Sequence, residues 1–365
     1  MFDTTTCLKY ADDTQLFLSM NSTDVMSRLQ TLSTCTAVVR DWYQNNHLSL
    51  NADKSDVVLG TAKQLRHAAG VSSVPVVGVS LPVSTTLKLL GVILDQRLTF
   101  DSHIAAIVKG CNYHIGALWH IQPLLSNDVA QSLACALINS RLDYCNAMLY
   151  GAPKAALDKL QQIQNTAARV VSGVHYQSDA KPLLHQLHWL PVWQNFVYKI
   201  ECLTLKARTT GIPTYLNRHL IPRAAVRTTR SSALPLLTLS TTHTNFGRRA
   251  FTYSAPNVWN NLPPDVLHCN TLNTFNKHLK THLFTSSLTS TDWPVTKHLW
   301  SSALRRYINV YYYYYYYYIV RHVTAGQLRL TSIIFITINT VVTDIPQIIR
   351  SGNNINLKTE TYVKM

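Results

Sequence analysis

Charge is scarce in this sequence, and acid scarcer still. Only 14% of its 365 residues are charged, against about 25% in an ordinary soluble domain. Eighteen acids face 33 lysines and arginines. No apolar run reaches the ~18 residues that a membrane span needs; the best, "SIIFITINTVV" at 332–342, is shorter and holds Asn339. That argues against a membrane partner. The seven cysteines stand singly, with no CxxC pair and no secretory leader. Such usage speaks against a disulfide framework and for a reduced, intracellular compartment, nucleus or cytoplasm. The Walker loop, GxGxxG, GxSxG and HExxH are all missing, so the usual NTPase, dinucleotide, hydrolase and metalloprotease signatures have no footing here. Two histidine pairs, His185/His188 in "HQLH" and His278/His282 in "HLKTH", lack the further ligands that a zinc site requires; Cys269 has no second cysteine near it.

What is present is lopsided. The length predicts two or three domains, and a hydrophobic share of 47% supports packed cores. Acids outnumber bases within residues 1–60, so the whole net charge of +15 is carried beyond residue 60. A basic surface of that breadth suits a polyanion such as nucleic acid. Lys199, Lys206, Arg208, Arg218, Arg223, Arg227, Arg230, Arg248 and Arg249 recur among Tyr198, Tyr215 and Phe246. That mixture of cations and rings can hold phosphates and stack bases, although solvated loop charges beside core aromatics would look the same.

Along the chain, residues 4–20 read as strand, turn, strand, apolar enough to be buried on both faces. Residues 21–23 offer a helix cap, and 24–45 place Val25, Leu29, Leu32, Val39 and Trp42 at helical spacing. "LSLNADKSDVVLG" predicts a loop and a strand, and "KLLGVILDQRLTF" a hairpin. From Asp101 the period turns helical; "AALDKLQQIQNTAARVVSG" buries one face and closes at Gly173. Segments from 176 to 306 are mixed and punctuated by proline. "YYYYYYYY" at 311–318 cannot specify one packing and reads as a translated short repeat. The tail beyond it has no amphipathic period and is expected to lie outside any evolved domain.

The acids that matter stand together in "LKYADDTQLFLSM". Two adjacent carboxylates, Asp12 and Asp13, at the tip of an apolar hairpin repel one another unless a cation neutralises them. Mg²⁺ prefers such hard oxygen ligands together with substrate phosphates, and two-metal phosphoryl transfer is the chemistry this suits. An isolated Asp-Asp turn is also an ordinary turn. Context carries the reading further. Tyr-Ala-Asp-Asp with its "TQLFLS" exit resembles motif C of reverse transcriptases, in the version found in non-LTR retrotransposons (LINEs) of the CR1, L2 and jockey type. "LNADKSDVVLG" (50–60) resembles motif D, and "LGVILDQRLTFDSHI" (90–104) the primer-grip hairpin of motif E. The stretches 141–171, 188–207 and 247–284 resemble the region that follows the polymerase in these elements.

The resemblance implies an α+β fold: a partial reverse-transcriptase palm of β-hairpins and a helix over 1–100, and thumb-like helices over 101–175. A mixed basic region over 176–306 and a low-complexity tail over 307–365 would follow. It implies RNA-directed DNA polymerase activity on an RNA template and DNA primer, with Mg²⁺ or Mn²⁺ as cofactor. Asp12 and Asp13 would hold the metal, Asp12 foremost. Tyr10 would lie under the primer terminus and Ala11 beside the incoming nucleotide. Lys54 would be the motif D lysine, poised to donate a proton to the leaving pyrophosphate. Gly91 would let the motif E hairpin approach the primer backbone. The family also needs a third carboxylate and fingers from upstream, yet eleven residues precede Asp12. The resemblance therefore implies a fragment that is inactive alone. Two other readings stay open: a non-enzymatic nucleic-acid-binding protein acting through the basic half, and a translated relic without function.

Overall fold

A computed structural model describes residues 6–10, 13–20, 25–61, 71–76, 79–223, 234–242, 247–269, 271–287 and 332–342. They fall into two compact units, Met1–Ser102 with Gly326–Met365, and His103–Ala325.

The first unit is a helix on a sheet. β1 (Thr6–Tyr10) and β2 (Asp13–Met20) form an antiparallel hairpin closed by the pair Tyr10↔Asp13. Thr14, Gln15, Leu16 and Leu18 are all buried, so β2 is covered on both faces, as its near-continuous apolarity predicts. α1 (Val25–Asn45) follows, then β3 (Leu48–Thr61), β4 (Ser73–Val76) and β5 (Val79–Ser84). α1 lays Leu29 and Leu32 into a core shared with Leu16, Leu18, Val57, Val74, Val76 and Leu81. Each such side chain, fully buried, contributes about 1.5–3 kcal/mol of transfer free energy. Near the end of α1 it is Tyr43, 2% exposed, that turns inward, while Trp42 is 45% exposed. The inward place goes to the ring whose hydroxyl finds a partner: Tyr43 bonds the buried Thr14 hydroxyl.

β6 (Thr86–Leu89) and β7 (Val92–Asp95) make a separate two-stranded hairpin. Its turn places Leu90 at φ 42° and Gly91 at φ 89°, the left-handed pair that matches strand twist in a two-residue hairpin. The Asp95 carboxylate then organises the exit, accepting from the backbone N–H groups of Arg97 (2.9 Å), Thr99 (3.1 Å) and Phe100 (2.7 Å).

The tail brings a departure from expectation. Residues Ser332–Val342 form β8, and the main sheet runs β1-β2-β8-β3-β5-β4. β8 is antiparallel to both neighbours, from Asp13↔Asn339 to Met20↔Ser332 on one side and from Leu48↔Val342 to Thr61↔Ser332 on the other. The physical reason lies in composition: Ile, Val, Phe and Thr dominate "SIIFITINTVV", and such residues fit a pleated, covered surface whether or not they alternate with polar ones. The tyrosine run at 311–318 lies outside the described residues.

The second unit is helical: α2 (Asp101–Ile121, whose first two residues fall across the division), α3 (Asn127–Ala134), α4 (Ser140–Asp143), α5 (Lys154–Val171), α6 (Ala180–Gln186), α7 (Val192–Thr210), α8 (Thr214–Asn217), α9 (Phe251–Trp259), α10 (Pro264–Leu267) and α11 (Leu272–Ser287). The prolines that punctuate this half have a common use. Pro153, Pro191, Pro213 and Pro263 each stand immediately before a helix, where a fixed φ starts the chain and a missing N–H leaves no helical bond unmade. Gly173 closes α5 at φ 63°, and the Val174 N–H returns to the Arg169 carbonyl, satisfying a terminal carbonyl as such caps do. α7 is the central helix, with ten buried residues, packed against α9 and α11 through Phe251, Ala255, Trp259, Phe275 and Leu279. No helix among the described residues is long and apolar enough to cross a membrane.

Candidate metal and nucleic-acid sites

β2 is anchored near its start. Asp13 opens β2, and its neighbour Thr14 is 2% exposed and bonded to Tyr43 of α1. That fixes the strand one residue from the acidic pair. Gln15 is buried too, and its amide nitrogen has no hydrogen-bond partner among the described residues. Asp12 and Ala11 lie outside the described residues. Tyr10 ends β1 opposite Asp13.

Sheet register supplies the second part of the geometry. Asp13 stands opposite Asn339 of β8, and Asn339 stands opposite Asn51 of β3. At that point β3 bulges: register jumps from Asn51↔Asn339 to Asp56↔Thr337, so Ala52, Asp53, Lys54 and Ser55 oppose the single residue Ile338. Strands in a sheet are ~4.8 Å apart. The start of β2 and the bulge that carries Lys54 therefore flank β8 at one level, their backbones roughly 10 Å apart. A bulge re-aims the residues it contains and is common beside active sites.

Hard oxygen donors suit Mg²⁺ or Mn²⁺, and the two residues that register sets opposite one another here, Asp13 and Asn339, are of types that offer them. In kind they fit. β8 contains no acidic residue, so the strand beside Asp13 brings an asparagine and no further carboxylate. No group of three His, Cys, Asp or Glu that could hold a metal occurs among the described residues. Gly91 is accounted for by the hairpin turn itself. Asp95 and Asp101, acids outside the pair, are tied up locally: Asp95 by the backbone bonds above and Asp101 by the Thr99 hydroxyl.

The basic residues of the second unit divide sharply. Arg218, Arg223 and Arg248 are exposed, and Lys206 is half-buried. Arg208 lies 4.7 Å over the Trp259 ring, near the fully buried Glu201. Arg249 is 8% exposed, and a Cβ on Gly151 would come within 3.2 Å of its Cγ. Lys199 is half-buried near the half-buried Asp143, whose carboxyl is raised by desolvation and drawn back by Lys199 and the Asn195 amide. Lys199, Arg208 and Arg249 thus serve the interior in whole or part, and the free positive surface among the described residues is narrower than the sequence predicts. Arg227 and Arg230 lie outside the described residues. Among the described residues neither histidine pair joins a group of three metal-ligating side chains, and His188 is held at φ 55° in the turn after α6.

Sequence reasoning missed a second cluster. Lys280 of α11 stands 5.7 Å over the Phe284 ring, and His185 packs edge-on against the same ring. Burial lowers the Lys280 ammonium below its usual range, with the Cys135 thiol opposing that shift. His185 and Lys280 each belong to a motif noted above, but only the packing of α11 brings them to one ring.

Comparison with known proteins gives one distant relation. The chain is 28% identical over 180 residues to a Drosophila melanogaster protein described as a probable RNA-directed DNA polymerase from transposon BS. The match covers 46% of this chain and 18% of that protein, so the chain spans less than a fifth of its relative's length. No protein-family model matches. No solved structure matches either.

Proposed function

We propose that this chain is part of an RNA-directed DNA polymerase of the non-LTR retrotransposon type, holding the carboxylate hairpin, the motif D lysine and the helical region that follows them. The observation that carries the reading is the register that sets Asp13 and the Lys54-bearing bulge at one level of one sheet, on either side of β8. The distant relation to a transposon polymerase agrees with it. Asp12 and Asp13 would hold Mg²⁺ or Mn²⁺, which, when bound, supplies charge stabilisation at transferring phosphoryl oxygens. This chain's own residues do the rest. Thr14 and Tyr43 anchor the start of β2 next to Asp13, and firm support is what a ligand pair needs for useful affinity. Lys54, carried on the irregular stretch of β3, would meet a leaving phosphate and give up a proton. The exposed Arg218, Arg223 and Arg248 would contact template or primer phosphates.

The test is Mn²⁺ binding by the full chain, read by electron paramagnetic resonance, together with primer extension on an RNA template. Asp12→Asn and Asp13→Asn should each weaken Mn²⁺ binding at least tenfold and abolish any extension. Equal Mn²⁺ affinity in wild type and both variants would remove the metal role and the reading with it. A second reading, nucleic-acid binding without catalysis, is favoured by the three exposed arginines. It predicts RNA affinity that falls steeply with salt and is unchanged in Asp12→Asn.

A further inference from the structure

β8 fills a slot between two strands that come from the start of the chain. Its neighbours lie within Asp13–Thr61, while β8 begins at Ser332, so the whole second unit, His103–Ala325, intervenes in sequence. β8 is hydrogen-bonded along both edges, and its main packing partners among the described elements are β2 and β3. Main-chain ladders do not register which chain a strand belongs to. The segment also lacks the usual safeguards against pairing elsewhere, having no charge, no proline and no glycine over its eleven residues.

We propose that the gap between β2 and β3 is a strand-accepting site that residues 332–342 of a second copy occupy in trans, so that two copies exchange β8 and complete each other's sheets. The same ladders form in both arrangements, and reciprocal exchange of an identical element is a low-cost route to a dimer. Order of synthesis favours it. The slot strands are made first and the strand that fills them last. In that interval the β2 and β3 edges, which carry the buried Leu16, Leu18 and Val57, stand open to any matching segment. The closed monomer and the exchanged dimer differ by mass action, so concentration at folding selects between them. This inference is independent of the polymerase reading.

Register gives the experiment. Phe17 stands opposite Phe335, and opposed residues of an antiparallel pair have Cα atoms about 4.5–5.5 Å apart, within reach of a disulfide. Full chains carrying Phe17→Cys alone and Phe335→Cys alone are refolded together at ~1 and ~50 μM, a range chosen so that mass action separates the two states, then oxidised and peptide-mapped. Exchange predicts an interchain bond between the two introduced thiols, with a dimer-to-monomer ratio that rises in proportion to concentration. Light scattering on the wild-type chain refolded at the same two concentrations reads the same ratio without any substitution. The doubly substituted chain closing only within itself, with no interchain bond in the mixture at either concentration, would overturn the proposal. So would failure of the double variant to form the bond at all, because β8 would then not occupy the slot.

Discussion

Glu201 offers the sharpest physical test of the second unit. It sits on α7 with 0% exposure, and neither carboxylate oxygen has a hydrogen-bond partner among the described residues. Burial raises its carboxyl well above the ordinary range, and the Arg208 guanidinium recovers only part of that shift. In the unfolded chain a glutamate titrates near 4.3. Between that value and the higher folded one, the folded chain holds one more proton than the unfolded chain. Stability must therefore fall as pH rises through this window, by about 1.4 kcal/mol per pH unit for one proton. Glu201→Gln keeps the shape and removes the titration. Urea denaturation would be followed by tryptophan fluorescence, since Trp119, Trp189, Trp193 and Trp259 lie in this unit. As pH rises from 5.0, the wild type should lose stability relative to the variant, at up to about 1.4 kcal/mol per pH unit, until the buried carboxyl gives up its proton. Below pH 4 that pH-dependent difference disappears. Unsatisfied hydrogen-bonding groups on the glutamine amide add an offset, but not a slope, because they do not titrate. Desolvation also raises Asp143, but that residue is common to both proteins and cancels. Parallel pH profiles would refute the reasoning, and so would a wild type that gains on the variant as pH rises.

Asp95→Ala should cost roughly 2–4 kcal/mol, because three backbone N–H groups lose their acceptor in a loop that already holds Leu98 and Phe100 at positive φ; thermal unfolding and hydrogen exchange at residues 97–100 would show it. Gly173→Ala places a Cβ at φ 63° and 2.9 Å from the Gln122 amide nitrogen, which should destabilise by about 1–2 kcal/mol in chemical denaturation; no loss would mean that the α5 cap relaxes. Tyr43→Phe leaves the Thr14 hydroxyl buried without this partner and should cost about 1–2 kcal/mol. If that bond also steadies the hairpin tip, Mn²⁺ affinity should fall along with stability. Asn339→Asp puts a carboxylate at the register position beside Asp13 and should tighten Mn²⁺ binding at least tenfold, an effect that Asp12→Asn removes; unchanged affinity would show that β8 does not stand there.

The elements that were legible in the sequence are those whose pattern is local. α5 announces itself through Leu160, Ile163 and Ala167 on one face and Gly173 after its end. The hairpin around Gly91 is likewise written in a short apolar run broken by one glycine. Local pattern also explains the partial error on α1: period alone points Trp42 inward, but a buried tyrosine hydroxyl facing Thr14 decides for Tyr43. Charge was read less well, because a list of arginines does not distinguish a guanidinium in water from one lying over Trp259 or against Gly151. Burial is a property of the partner surface, and that surface is assembled from segments far apart in the chain.

β8 is the extreme case of the same limit. Nothing within 332–342 names its neighbours; an uncharged, β-branched segment fits any covered slot of matching length. Its register, however, is constrained by what flanks the slot. Leu16 and Val57 both stand opposite Ile336, and both are buried. Sliding β8 by one residue would put Thr337 between them and turn the isoleucine to the other face. The same register sets Asn339 beside Asp13 and faces β8 with the bulge at Lys54. What faces Asp13 across the sheet thus comes from a strand far along the chain. Asp13, Asn339 and the bulge that carries Lys54 are brought to one level by backbone pairing, and spacing along the chain assigns none of the three to the others.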